Sequence, residues 1–257
     1  MTQRLTRNID FSGVASSLAI LTRISEAFAE QQSAIIENLA PALATLRGGF
    51  YPPNLRAIDD LDFKDVQSVV MIDGIALYGL PRSTTAEVLI RAGSRSKRRN
   101  ILGRRWKTII GDCREVVRGC SSEVVAPYVP FALAAVDALD AGHTAAAQAL
   151  AGSLVDTVVS NYFGNARTKY TPHPQGKRTT DAYDEFTVRE YIAFAPMWQT
   201  YQQFYVKDGG KVPGTFSRHA TAHAVSVRQY SKRNAVQAIM FACSLLYRLD
   251  EEAVGLA

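Results

Sequence analysis

PGTFSRHATAHAVSVRQYSKRNAVQAIMFACSLLYRL, residues 213–249, sets how the rest of the chain is read. Pro213-Gly214 breaks whatever precedes it, and Ser217 is of the type that caps a helix, so a helix is expected to start near Arg218. On that helix His219 and His223, four positions apart, share one face. Arg218 and His223 are five apart, roughly 140° around a regular helix. They converge only if Arg218 sits in the non-helical lead-in, or if a second chain brings a partner across. Asn234 to Leu249 predicts a second helix, with Val236, Ile239, Met240, Cys243, Leu246 and Tyr247 on one apolar stripe.

Working back from there, Gly209-Gly210 separates this region from an aromatic helix expected over Phe186–Tyr205. Before it, NARTKYTPHPQGKRTTD (165–181) reads as a surface linker. Its Arg167, Lys169, Lys177 and Arg178 are open to lining a nucleic-acid groove or to simple solvation. Val125–Leu139 and Ala145–Phe163 predict two helices joined at Ala141-Gly142-His143. Their many alanines let helices approach closely, as an antiparallel hairpin requires.

Further back lies the densest charge in the chain: Arg91, Arg95, Lys97, Arg98, Arg99, Arg104, Arg105 and Lys107, with no acid between Arg91 and Asp112. Ile101, Leu102, Trp106, Ile109 and Ile110 keep a helical apolar stripe through it, so one amphipathic helix or a helix pair carries a basic face. Arg95, Lys97, Arg98, Arg99, Arg104 and Arg105 are the candidate phosphate contacts. The competing reading is a solvated face that pairs with acids elsewhere. Ser83 or Thr84 with Glu87 has capping-box spacing. Asp62–Ile72 predicts a short helix ended by Gly74, with an Asp73-Gly74 hairpin as the alternative. Tyr51–Leu55 predicts an extended connector. A long helical pattern, kinked or split at Pro41, is expected from Asp10 or Ser12 through Leu43, after a polar arm over residues 1–9.

The whole is an all-α chain, expected to divide into an N-terminal helical region, 1–120, and a helical domain, 121–257. At 257 residues, with 47% apolar and 21% charged residues, it is long enough for a substantial core. A net charge of +5 permits an anionic partner. Cys113, Cys120 and Cys243 lack metal-ligand spacing and read as buried thiols of a reducing compartment. No apolar run spans a membrane and no signal-peptide core follows the N-terminus, so a cytoplasmic protein with no membrane partner is expected.

Arg218-x4-His223 at the mouth of a helix, with an apolar helix and Asn234 behind it, resembles the Arg-x4–6-His signature of HEPN domains. The alanine-rich hairpin resembles the first two helices of that arrangement. The signature is short, and His219 stands where many active members carry Asn. Over nearly its full length the chain also resembles a group of actinobacterial and actinophage proteins of uncharacterised function, through PPNL, GIALYGLPR, ILGRRWKTIIGDC and SRHATAHAV. That second resemblance brings no activity with it.

The first implies a metal-independent endoribonuclease in toxin–antitoxin or antiphage systems, working on RNA (tRNA among the candidates) as a homodimer without a cofactor. An antitoxin or a phage-derived trigger would be its further partner. Arg218, His223 and His219 are then the catalytic set. The residue types suit the chemistry: imidazoles exchange protons near neutrality, and a guanidinium holds phosphoryl oxygens. Two other readings stand beside it. His219-x3-His223 resembles half of a zinc site, though no Glu follows His219 and no third ligand is identified, so no metal is assigned. The other is a non-catalytic helical interaction module (antitoxin, adaptor or phage-exclusion protein).

Overall fold

The computed structural model describes residues 49–173, 175–205 and 211–255, which are helical or irregular with no strand among them. The polar arm and the helix expected through Leu43 lie outside the described residues. In chain order the α-helices of the unit Phe50–Ala257 are α1 (Pro53–Arg56), α2 (Phe63–Gln67, continued as a π-turn over Ser68–Ile72), α3 (Ser83–Ile90), α4 (Arg95–Arg104) and α5 (Trp106–Gly119). They continue as α6 (Val129–Asp140), α7 (Thr144–Phe163), α8 (Val188–Phe194), α9 (Pro196–Thr200), α10 (Arg218–His223) and α11 (Lys232–Ala253).

The architecture is centred on α11. Ser231 caps it by accepting from the Asn234 amide. The sequence predicts one apolar stripe, yet every residue from Asn234 to Leu246 is buried, so the helix is covered on all sides. Short residues such as Ala235, Ala238, Ala242 and Ser244 let neighbours close over the faces that a stripe would leave to solvent. The cover comes chiefly from α7 and α5, with α4, α6 and α8 adding to it. The core therefore runs across the 120/121 division expected from sequence, and residues 50–257 form one unit.

The α6–α7 hairpin forms as expected, turning through Ala141-Gly142-His143. The basic stretch is a helix pair, broken at Arg105. Other local expectations are corrected. Helix α3 begins at Ser83 with Arg82 in the capping position and no side-chain cap. Asp112 of α5 fixes that start instead, accepting from the Arg82 amide at 3.0 Å and from its guanidinium, while Glu87 pairs with Arg91 at 2.9 Å. The Tyr51–Leu55 connector contains the helical turn α1, whose Asn54 clamps the loop ahead of α3. Asn54 Nδ2 donates to the carbonyls of Leu77 and Pro81, and its Oδ1 accepts from the Gly79 amide.

No hairpin forms at Asp73-Gly74, because Asp73 is held by Arg95 and Arg98. The single aromatic helix is broken into α8 and α9 at Pro196, which lacks the amide proton a continuing helix needs. Residues 165–181 are no free linker: two 3₁₀ turns bracket them, Tyr170 and Thr171 are buried, and Tyr183 donates to the Tyr170 carbonyl at 2.7 Å.

Two glycines make opposite predictions. Gly79 has φ +74°, and a Cβ there would run into the Tyr247 ring. Gly79→Ala should therefore lower stability by about 2 kcal/mol or more. Gly111, inside α5, has nothing within 4 Å of its added Cβ. Gly111→Ala should raise stability by about 0.5–1 kcal/mol. Urea unfolding of both variants measures each sign.

Candidate functional site

Ser217 starts α10 as the sequence predicts, its hydroxyl accepting from the Ala220 amide at 3.1 Å. Six residues cannot sustain a helix alone, and α10 is pinned from outside. Gln148 of α7 donates to the Thr221 hydroxyl at 3.0 Å, and Tyr230 donates to the Thr221 carbonyl at 2.6 Å. Gln229 accepts from the Ser217 amide and donates to the Thr215 carbonyl. Gln229 is held in turn by Asn234 at the start of α11, whose Nδ2 donates to the Gln229 carbonyl at 2.6 Å.

His219 and His223 lie side by side as their spacing requires, with ring centres 4.6 Å apart and the planes tilted by 51°. His223 is exposed; His219 is half-buried, with Tyr205 against its ring at 5.0 Å. The Phe204 amide donates to His219 Nδ1 at 3.4 Å, which leaves the neutral ring's own proton on Nε2. Burial, then the neighbouring His223 and Arg218, pushes the His219 pKa below its usual value. At neutral pH this imidazole is therefore uncharged.

Arg218 is the first helical residue, not part of a non-helical lead-in, and its guanidinium goes to α7. There it forms an ion pair with Asp156, whose other oxygen accepts from Arg167 at 3.0 Å and from the Tyr201 hydroxyl at 3.2 Å. Arg218 and Asp156 side chains are 29% and 22% exposed and border a polar cleft of about 330 Å³, together with Ser153, Thr157 and Thr221. The structure thus joins His219 to His223 and Arg218 to Asp156, with all three predicted residues on one short helix.

Asp156, Tyr201 and the role of Arg167 are invisible locally. A lone Asp on a solvent-side helical position has no pattern, and its partners lie 11, 45 and 62 residues away.

The basic candidates separate into two groups. Arg98 is 5% exposed and donates to the Leu89 carbonyl, the Ser68 hydroxyl and Asp73. Arg95 pairs with Asp73 at 2.7 Å, and Arg99 donates to Asn234 Oδ1 and the Gly214 carbonyl. Lys97, Arg104 and Arg105 are exposed, Arg105 reaching only the Thr85 hydroxyl at 3.4 Å.

No family model, curated protein or solved structure matches the chain. Among the described residues, no three of His, Cys, Asp and Glu converge as a metal cage would need, and no helix is long and apolar enough to cross a membrane.

Asp156→Ala removes the shared partner of two guanidiniums. Because the pair is partly solvated, the expected loss is about 1–2 kcal/mol rather than that of a sealed ion pair, read by chemical denaturation. By NMR, His219 should titrate below 6.5, and His223→Ala should move it back toward that value. Since folding favours the neutral ring, its stabilising contribution is complete above about pH 6.5 and is lost as pH falls through the depressed folded value.

Proposed function

We propose that the chain is a metal-independent endoribonuclease of the HEPN type. One observation carries this reading: an exposed imidazole lies against an uncharged one, on the same six-residue helix whose first residue is a cleft-lining arginine. In the reaction, the 2′-hydroxyl oxygen attacks phosphorus and its proton passes to an imidazole. The P–O5′ bond breaks and the departing 5′-oxygen takes a proton, leaving a 2′,3′-cyclic phosphate and a 5′-hydroxyl. The Arg218 N–H groups suit the charge gathering on the phosphoryl oxygens.

Arg218 and His223 leave α10 in different directions, so a homodimer, with each protomer completing the other's site, is part of the proposal. A place in toxin–antitoxin or antiphage conflict, with an antitoxin or phage-derived trigger, follows from the HEPN resemblance and stands with it.

The ion pair to Asp156 favours a second reading, a non-catalytic helical module in which Arg218 is structural. Incubation with tRNA and a generic RNA in EDTA separates the two. Wild type should produce cyclic-phosphate ends, and Arg218→Ala or His223→Ala should lower cleavage about 10²–10⁴-fold while remaining folded. A folded, dimeric wild type that leaves both RNAs intact sinks the nuclease in favour of the module.

A further inference from the structure

Two stretches of this chain carry no acid: residues 92–111 and 209–249 together hold thirteen of the 29 Lys and Arg and none of the 24 Asp and Glu. The fold lays them side by side. Arg99 of α4 donates to Asn234 Oδ1 at 3.0 Å and to the Gly214 carbonyl at 2.6 Å. Lys232 Nζ sits 4.5 Å from the centre of the Trp106 ring, which also carries Lys107 at 5.6 Å. Arg233 lies along Gly103, and Arg228 along Gly214. The like charges act on one another: burial, then Arg233 and Arg95, pushes the Arg99 pKa down.

Some of the cations are paired with carboxylates and some are not. Among the described residues, Arg82, Arg91, Arg95, Arg98, Arg114, Arg167, Lys169, Arg189, Arg218 and Arg248 all meet carboxylates. Lys97, Arg104, Lys107, Arg228, Lys232 and Arg233 are exposed, and none of them forms an ion pair with a described residue. A patch of uncompensated like charge works against the folded state, and an external polyanion relieves it.

We propose that this face binds the phosphate backbone of an RNA strand. It runs from Lys107, over the Trp106 ring, to Lys232, Arg233 and Arg228 at the approach to α11, and delivers the strand toward His223. The choice of RNA as the polyanion rests on the ribonuclease reading. Val225 and Val227, each 94% exposed between His223 and Arg228, raise the competing case of an anionic membrane. Of the cations, however, only Arg228 adjoins the valines in sequence; Lys107, Lys232 and Arg233 lie on α5 and the start of α11.

The test measures binding of an uncleavable 2′-O-methyl RNA 20-mer to wild-type protein by fluorescence anisotropy across a salt series. Arg228→Gln/Lys232→Gln/Arg233→Gln should weaken binding at least tenfold near about 100 mM salt, and reduce the slope of log K against log salt by about 2. Lys107→Gln alone should reduce it by about 0.7. Arg56→Gln/Lys64→Gln, exposed cations outside the face, should leave it unchanged.

The proposal is overturned if the control pair weakens binding equally, if the slope is unaffected by the face variants, or if wild type binds phosphatidylserine vesicles and not the RNA. Because the probe has no nucleophile, a wild type that binds it with this slope but never cleaves ordinary RNA rejects the nuclease and keeps the face. Cleavage with no dependence on these cations rejects the face alone.

Discussion

Everything in this molecule depends on burying one helix from every side. A helix with a single apolar stripe tells its neighbours only which face to cover. α11 also carries polar side chains into the interior, and an unpaired buried polar group costs about 1–3 kcal/mol. Those side chains therefore decide which segment lies where. Gln237 donates to the carbonyls of Asp73 and Gly74, Glu251 accepts from Tyr78 and Arg189, and Asp250 accepts from the amides of Ser121 and Ser122. The apolar faces supply most of the driving force; the pins supply the arrangement.

The candidate site inherits its geometry from the same helix. Asn234, at the first turn of α11, holds Gln229, and Gln229 holds the strand-like approach to α10 at Thr215 and Ser217. Arg99 of α4 joins the same junction from the other side. The two histidines and Arg218 thus sit on a short helix that is rigid by attachment, with a network of amides around it and a carboxylate, Asp156, holding its arginine. A catalytic arginine and a structural arginine look alike at this level; what differs is whether a phosphate meets the donors that Asp156 leaves over.

Much of the helical content is legible in the sequence, because apolar period and breakers are local properties. The α6–α7 hairpin, the Ser217 cap and the pairing of His219 with His223 all follow from spacing. What escapes is long-range. The Asp73 carboxylate that absorbs Arg95 and Arg98 lies more than twenty residues from either, so the basic run looks freer than it is. Asp112 displaces the expected capping box at Ser83 for the same reason, and the stretch 165–181 is ordered by Tyr183, Glu185 and Asp156, none of which its own composition reveals. At the site, the histidine pair is readable and the Asp156 partner is not.

The placement of α11 also bears on how the chain is made. Every helix that covers it precedes it in the chain, so α4, α5, α6 and α7 can pack on one another during synthesis but have no central helix to close on. Until residues 232–253 follow, the faces of these helices that α11 covers stay open to water. The nascent chain is thus a set of sticky, unfinished helices for most of its synthesis, and its demand on chaperones ends only when the central helix arrives.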